Sequence, residues 1–323
     1  MNNQKQIDRI KSCIWGAIVG DALGARYEFL SPNDVKEQLA KDLRDCKGRL
    51  ELLGGGPFEL APGQMTDDGE LMLSLLTALA ESDNEYREDV VADYYLNWYH
   101  SEPFDIGKTT KQAFGDGARD YDEILESSIQ NNKSSKSNGC LMRSMPLAIV
   151  ALSNPQELIQ SLARLDCPLT NPNEDCINAV EIYITTIALS ILGESREDIY
   201  KRIYDLANDE NKDLLIKAAK RQLPEASGPN MGYYKIALQN AFLHYFNRTH
   251  FEDAMIKTIQ LGGDTDTNCC ILGGLLATRE KIPNRWIATV QGVTDVNHNR
   301  YDQLPYIIPS NIKKVILDVI HGL

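Results

Sequence analysis

The sequence predicts an all-α fold, a single compact many-helix domain spanning residues 1–323, and three observations lead there. Apolar residues recur at helical spacing, as in Met72, Leu75, Leu76 and Leu79, or Ile236, Leu238, Ala241, Phe242 and Tyr245, which gathers them on one helix face. Helix-start signals are plentiful: a capping side chain or proline precedes a periodic segment at Ser31-Pro32-Asn33-Asp34, Thr66-Asp67-Asp68, Asn154-Pro155 and Pro172-Asn173. Sustained alternation of period two, the mark of a half-buried strand, is hard to find. More than ten helices are expected.

Near the amino terminus, Lys5, Arg9 and Lys11 precede the apolar run Cys13 to Val19, the layout of a short signal peptide. Asp21 follows too soon for that, and the pattern continues as a helix. Gly16, Gly20 and Gly24 recur every four residues, so they share a helix face where a second backbone can approach closely, although each glycine costs about 1 kcal/mol of helix propensity. Glu28 falls at the end of that helix or just past it, where the dipole disfavours an acid, which hints that a cation holds it. Two stretches read as loops: Leu53 to Gln64, with Gly54-Gly55-Gly56-Pro57 and Pro62-Gly63, and Glu126 to Gly139, rich in Ser, Asn and Lys. The second is not expected to be a domain linker, because the acidic clusters described next lie at both ends of the chain and one compact unit unites them more simply. No internal repeat is visible.

The first acidic cluster is Gln64-Met65-Thr66-Asp67-Asp68-Gly69, between a Gly/Pro loop and an amphipathic helix. Alone, it is explained by capping, since Thr66 or Asp67 can cap the helix and acids favour its positive end. A second cluster, Leu261-Gly262-Gly263-Asp264-Thr265-Asp266-Thr267, opens the helix through Cys269, Ile271, Leu272, Leu275 and Leu276. It offers two carboxylates and a hydroxyl, hard oxygen ligands, from a tight turn. If the two clusters face each other, four carboxylates share a small volume, and their repulsion raises some of their pKa values unless a cation neutralises them. A binuclear site for Mg²⁺ or a similar divalent ion is the economical solution. A further element, Asn138-Gly139-Cys140-Leu141-Met142-Arg143, ends the polar loop and starts a helix with Pro146 in or near its first turn. Backbone N–H groups at such a junction suit a phosphate, and Arg143 adds charge or fixes the loop; Asn-Gly as a mere turn is the plainer alternative.

Composition narrows the function classes. With 43% hydrophobic residues, disorder and a coiled-coil rod are poor readings. Lys plus Arg number 33 against 46 Asp plus Glu, a formal charge of −13, so binding to nucleic acid or an anionic membrane would work against the whole field. The seven cysteines form an odd set without C-x-x-C pairs, which fits free, mostly buried thiols in a reducing, cytoplasmic setting. The longest apolar run near the other end, Cys269 to Ala277, is about half the ~20 residues a bilayer requires, and no membrane span is expected. Walker, dinucleotide-binding and H-E-x-x-H motifs are absent, and the five histidines are scattered.

Taken together and in this order, GDALGARYEF, GQMTDDGELM, SNGCLMRSMP, LGGDTDTN and KIPNRW resemble the ADP-ribosylglycohydrolase family from Ile14 to about Trp286. The resemblance implies an all-α fold around two magnesium ions, with Mn²⁺ as a substitute, that cleaves the glycosidic link between ADP-ribose and an acceptor. Position by position it implies Thr66, Asp67, Asp68, Asp264, Asp266 and Thr267 as metal ligands and Glu28 as the glutamate approaching the metals and the reacting ribose. It places Asn138, Gly139, Cys140, Leu141 and Met142 near the diphosphate. Many members have Thr-His where this chain has Thr170-Asn171, so Asn171 stands in place of a histidine near the distal ribose.

The expected function is therefore a metal-dependent ADP-ribosyl hydrolase, acting as a monomer on an ADP-ribosylated protein or a small ADP-ribose conjugate. Glu28 would orient or deprotonate a water near the anomeric carbon, and nearby carboxylates would stabilise an oxocarbenium-like transition state. Two alternatives are a catalytically silent ADP-ribose-binding or structural member of the same fold and a two-metal phosphodiesterase. Five intact acids argue against the silent reading, since a silent site has no physical reason to keep repelling carboxylates.

Overall fold

A computed structural model describes residues 2–115, 117–294 and 298–323. The described residues form seventeen α-helices and four short 3-10 turns, with no strand. In chain order they begin with α1 (Asn2–Gly24), α2 (Pro32–Asp45), α3 (Asp67–Glu81), α4 (Glu88–His100), α5 (Lys108–Phe114) and α6 (Tyr121–Asn132). Next come α7 (Gly139–Val150), α8 (Pro155–Asp166), α9 (Glu174–Leu192), α10 (Arg196–Leu206), α11 (Asp209–Ala219) and α12 (Tyr234–Phe246). The last are α13 (Phe251–Ile259), α14 (Thr265–Leu276), α15 (Asn284–Gln291), α16 (His298–Gln303) and α17 (Ile312–His321).

The glycine spacing of α1 has its partner in α14. A Cβ at Gly16 would lie 2.3 Å from the Gly273 carbonyl oxygen, one at Gly20 2.1 Å from that of Cys269, and one at Gly24 2.3 Å from that of Thr265. The helices therefore run antiparallel with their backbones touching over two turns, and Gly273 is as tight, its Cβ falling 2.0 Å from Gly16 O. The Thr265 hydroxyl donates to Gly24 O at 2.7 Å, closing the carboxyl end of α1 onto the amino end of α14. Opposite helix-dipole ends meet there, which is favourable.

Around this pair one continuous core includes Leu71 and Leu75 of α3, Leu141 and Ile149 of α7, Val180 and Ile184 of α9 and Phe242 of α12. By length and composition α9 could cross a membrane, but its apolar window is 72% buried in the protein, packed by α7, α8 and α10. All seven cysteines are free, and six are buried.

Helix starts follow the sequence: Ser31 caps α2 by accepting from Asp34 N, and Asn173 caps α9 by accepting from Asp175 N. Two expectations are corrected. The stretch 126–139 is not all loop, because α6 runs to Asn132; Asp120 caps it and Tyr121, Ile124 and Ser128 bury one face, so its polar residues are the solvent side of a helix. Pro146 is not in the first turn of α7 but is its eighth residue. The Met142 carbonyl that a residue there would have bonded faces the Cys270 thiol instead, at 3.9 Å.

The α1–α14 contact generates a test. Gly20→Ala puts a methyl group into a backbone that cannot move aside, so urea unfolding should show a loss of at least about 2 kcal/mol, the upper range for overpacking. A loss under about 0.5 kcal/mol would mean that the two helices slide apart freely.

Candidate functional site

The antiparallel crossing sets the acidic clusters against each other. Past Gly24 the chain makes a single turn, Ala25–Tyr27, and Glu28 follows immediately. The next residues are strapped to the glycine pair before α14: Phe29 N donates to Gly263 O at 2.8 Å, and Gly263 N to Leu30 O at 2.9 Å. Gly262 and Gly263 have φ of 68° and 76°, and a Cβ on them would fall 2.6 and 2.0 Å from backbone oxygens, so only glycine fits. Asp264 and Asp266 thus open α14 beside Glu28, and Asp67 and Asp68 open α3 on the opposite side.

Capping does not explain these acids. Thr66 precedes α3 without a side-chain cap; its Oγ1 donates to Asp21 Oδ1 at 2.9 Å. Asp264 precedes α14, also without a cap bond, and its Oδ2 accepts from Asn138 Nδ2 at 2.7 Å. Thr267 Oγ1 donates to Asp68 Oδ2 at 3.2 Å, joining the two helix starts directly.

Two residues that the sequence did not single out complete the cluster. Asp21, fully buried on α1, accepts from the amides of Thr66 and Gly69 and so fixes the turn that presents Asp67 and Asp68. An acid within an apolar helix was the available signal. Asp105, in the connection between α4 and α5, comes within 4.8 Å of Glu28 and Asp266, counted between carboxylate oxygens. Nothing in its local sequence marks it. Asp21, Asp68 and Asp266 form a second group of the same closeness.

The electrostatics follow from that crowding. Burial, with repulsion from Asp105, Asp264 and Asp67, pushes Glu28 up to about 9. Burial raises Asp21 to about 7, offset by the bonds from Thr66 and Gly69. Asp105 is raised to about 6, by burial and then Asp264. Asp67, Asp68 and Asp266 are held well above the usual carboxylate range, in each case by burial first and neighbouring acids second. Cations near the cluster are committed elsewhere: the buried Arg300 holds Glu70 through both its oxygens, the half-buried Arg26 pairs with Asp42 and the buried Arg143 with Asp166. Glu70 is one turn beyond Asp67, so the fold supplies a cation to one acid of this helix start, whereas among the described residues the others have none.

Asp68 Oδ1 and Glu28 Oε2 are buried with no hydrogen-bond partner among the described residues. Unpartnered anionic oxygens in an all-oxygen donor set fit a hard divalent cation, and Asp67, Asp68, Asp264 and Asp266 with Thr66, Thr267, Asp21 and Asp105 are the groups that could hold one.

The segment 138–142 borders this cluster through Asn138. The amides of Leu141 and Met142 both donate to Asn138 O, whereas those of Gly139 and Cys140 find no backbone acceptor among the described residues. Cys140 and Leu141 point into the core, so this helix start can offer only backbone there. Arg143 fixes the loop and is fully buried, donating to Gly139 O, Thr170 Oγ1 and Asp166 O. Asn171 is fully buried behind the same loop; its Nδ2 donates to Ser137 O and Oγ, and its Oδ1 accepts from Thr170 Oγ1.

Comparison with known proteins gives a consistent picture. A family model described as ADP-ribosylglycohydrolase matches residues 2–309. A protein of Acanthamoeba polyphaga mimivirus named an ADP-ribosyl glycohydrolase is 30% identical, over 96% of this chain and 98% of its own. The ADP-ribosyl-[dinitrogen reductase] glycohydrolase of Rhodospirillum rubrum is 26% identical, over 87% and 90%, and an ADP-ribosylarginine hydrolase of Pseudomonas putida 24%, over 94% and 81%. A solved structure titled ADP-ribosylglycohydrolase-related protein complex superposes with a TM-score of 0.68 at 26% identity, covering 95% of this chain and 98% of that one.

The uncompensated acids make a thermodynamic prediction. Thermal unfolding of the chelator-treated protein should shift upward when Mg²⁺ or Mn²⁺ is added, because a ligand bound only by the native state contributes about 2.7 kcal/mol at a hundredfold excess over Kd. Asp68→Asn should abolish most of that shift and, in chelator, melt no lower than wild type, since it removes one repelling charge. Identical melting curves with and without metal would rule the metal site out.

Proposed function

The chain belongs to the ADP-ribosylglycohydrolase family, and from that premise we propose that it hydrolyses the glycosidic bond between ADP-ribose and an acceptor at a divalent-metal site. The acceptor is a modified protein side chain or a small ADP-ribose conjugate. One observation carries the reading: buried acids from both ends of the chain converge with no cation to pair them among the described residues, and Glu28 and Asp105 sit beside them. A divalent pair, Mg²⁺ or Mn²⁺, would supply the missing positive charge and grip the distal ribose hydroxyls, held by Thr66, Asp67, Asp68, Asp264, Asp266 and Thr267.

The protein's own groups then have distinct tasks. The free amides of Gly139 and Cys140, at the positive end of α7, suit the diphosphate, and Asn138 is held in place by Asp264. Asn171 and Arg143 act behind this loop, fixing its shape. In hydrolysis the bond from the anomeric carbon to the acceptor breaks, and the acceptor leaves with the electron pair. A water oxygen bonds to that carbon and its proton passes to Glu28, whose raised pKa of about 9 the bound cations would bring down to the ionised form a base requires, and from Glu28 the proton goes to the departing acceptor. Carboxylates around the ribose favour the positive charge that develops meanwhile. The odd set of seven cysteines without C-x-x-C pairs suits a reducing compartment, and the activity is read as cytoplasmic on that composition alone.

Glu28→Gln keeps the shape but cannot take the proton, so turnover should fall about 10²–10⁴-fold, the usual worth of a general base, with ADP-ribose affinity changed far less. The assay follows release of ADP-ribose from conjugates. Wild-type turnover in the variant would remove Glu28 from the chemistry; release of AMP would identify a phosphodiesterase instead, and no release from any conjugate the silent binder.

A further inference from the structure

Away from the acid cluster, α8, α9 and α10 enclose a groove of about 240 Å³. Its floor is one face of α9, where Glu181, Thr185 and Leu189 recur every four residues, so the groove runs about 12 Å along that helix. The walls are apolar, with the buried Ile159 from α8 and Ile199 from α10. Helix α10 runs back along α9: Asn178 Nδ2 donates to Leu206 O at 3.0 Å, which puts the end of α10 beside Glu181. Asp198, about two turns earlier on α10, and Glu194, just past α9, therefore lie at the opposite end, near Leu189. The groove thus has an acid at each end and aliphatic side chains between.

Glu181 is not explained by the fold. It is 8% exposed, and its Oε2 accepts from Asn178 Nδ2 at 3.2 Å, a bond that a glutamine would accept as well. Its Oε1 bonds nothing among the described residues, and the space it lines is the groove. Burial raises its pKa, and Arg164, the arginine that acts against this, is itself bound to Glu174. A buried carboxylate without an ion partner costs stability, so the charge serves something outside the core. Three acids line the groove against one arginine, Arg202, which leaves an excess of negative charge. An anion would meet that excess, a neutral chain would leave Glu181 unpaired, and a monoamine would satisfy one end only.

We propose that this groove binds a linear aliphatic diamine, with one ammonium on Glu181, the methylene chain along Ile159, Leu189 and Ile199, and the second ammonium on Glu194 and Asp198. The inference does not rest on the hydrolase reading, and the amine undergoes no reaction.

Calorimetric titration of the full chain compares octane-1,8-diamine with octylamine and octanoate, at about 0.15 M salt to screen the field of the whole molecule and with Mg²⁺ saturating the acid cluster. The diamine should bind about tenfold more tightly than octylamine, and octanoate should not bind. Glu181→Gln should weaken both amines about tenfold, the worth of a hydrogen bond to a charged group, while melting at or above the wild-type temperature. Glu194→Gln combined with Asp198→Asn should bring the diamine down to the affinity of octylamine and leave octylamine unchanged. No binding of the diamine to wild type, equal affinity in Glu181→Gln, or octanoate binding as tightly as octylamine overturns the assignment. If Glu181→Gln does not fold, the rim pair decides: a selective loss of the diamine sustains the site, and unchanged diamine affinity overturns it.

Discussion

The antiparallel contact between α1 and α14, at a separation where no side chain fits between the backbones, is the constraint on which the site depends. Gly16, Gly20 and Gly24 meet Gly273, Cys269 and Thr265 in reverse order, so the carboxyl end of the first helix lands on the amino end of the fourteenth. That register brings Asp21 and Glu28, from the start of the chain, to Asp264 and Asp266, more than two hundred residues later. Each glycine gives up helix propensity, which close packing of two long helices and the matched dipole ends offset. A shift by one turn would move the acids by about 5.4 Å and dissolve the cluster.

Electrostatics oppose that packing. The fold concentrates buried carboxylates at the positive ends of α3 and α14, a partial compensation that helix dipoles alone cannot complete. Glu70, on the same helix start, shows what completion looks like, since Arg300 and Trp98 satisfy both its oxygens. Asp68 Oδ1 and Glu28 Oε2 have no such partner among the described residues, and the raised pKa values of these acids express the same deficit. A site like this is a preorganised receptor for positive charge, whether from ions or from a ribose carbon becoming cationic.

Much of this architecture was legible in the sequence because it rests on short-range signals. The four-residue glycine spacing announced a backbone contact, though not which helix would fill it, since the partner lies at the far end of the chain. Two acid-rich helix starts announced the cluster, but Asp105 could not be read, because only the tertiary path of the α4–α5 connection brings it to Glu28. Asp21 carried a signal, a charge inside an apolar helix, whose meaning needed Thr66 and Gly69 in space. The stretch from Glu126 reads as loop by its polarity alone, whereas the helical spacing leaves Tyr121, Ile124 and Ser128 on one buried face. Pro146 misled in another way: a proline normally marks a first turn, but here a neighbouring thiol faces the carbonyl it leaves free.

The central proposal is that these acids gather a divalent pair around the ribose of ADP-ribose. Anomalous diffraction at the manganese edge, on crystals grown with Mn²⁺ and ADP-ribose, tests this most directly. Two anomalous peaks are expected between the starts of α3 and α14, within reach of Asp67, Asp68, Asp264 and Asp266, with the distal ribose against them and the diphosphate at Gly139 and Cys140. Peaks elsewhere, or ADP-ribose bound with no anomalous signal among these carboxylates, would contradict it.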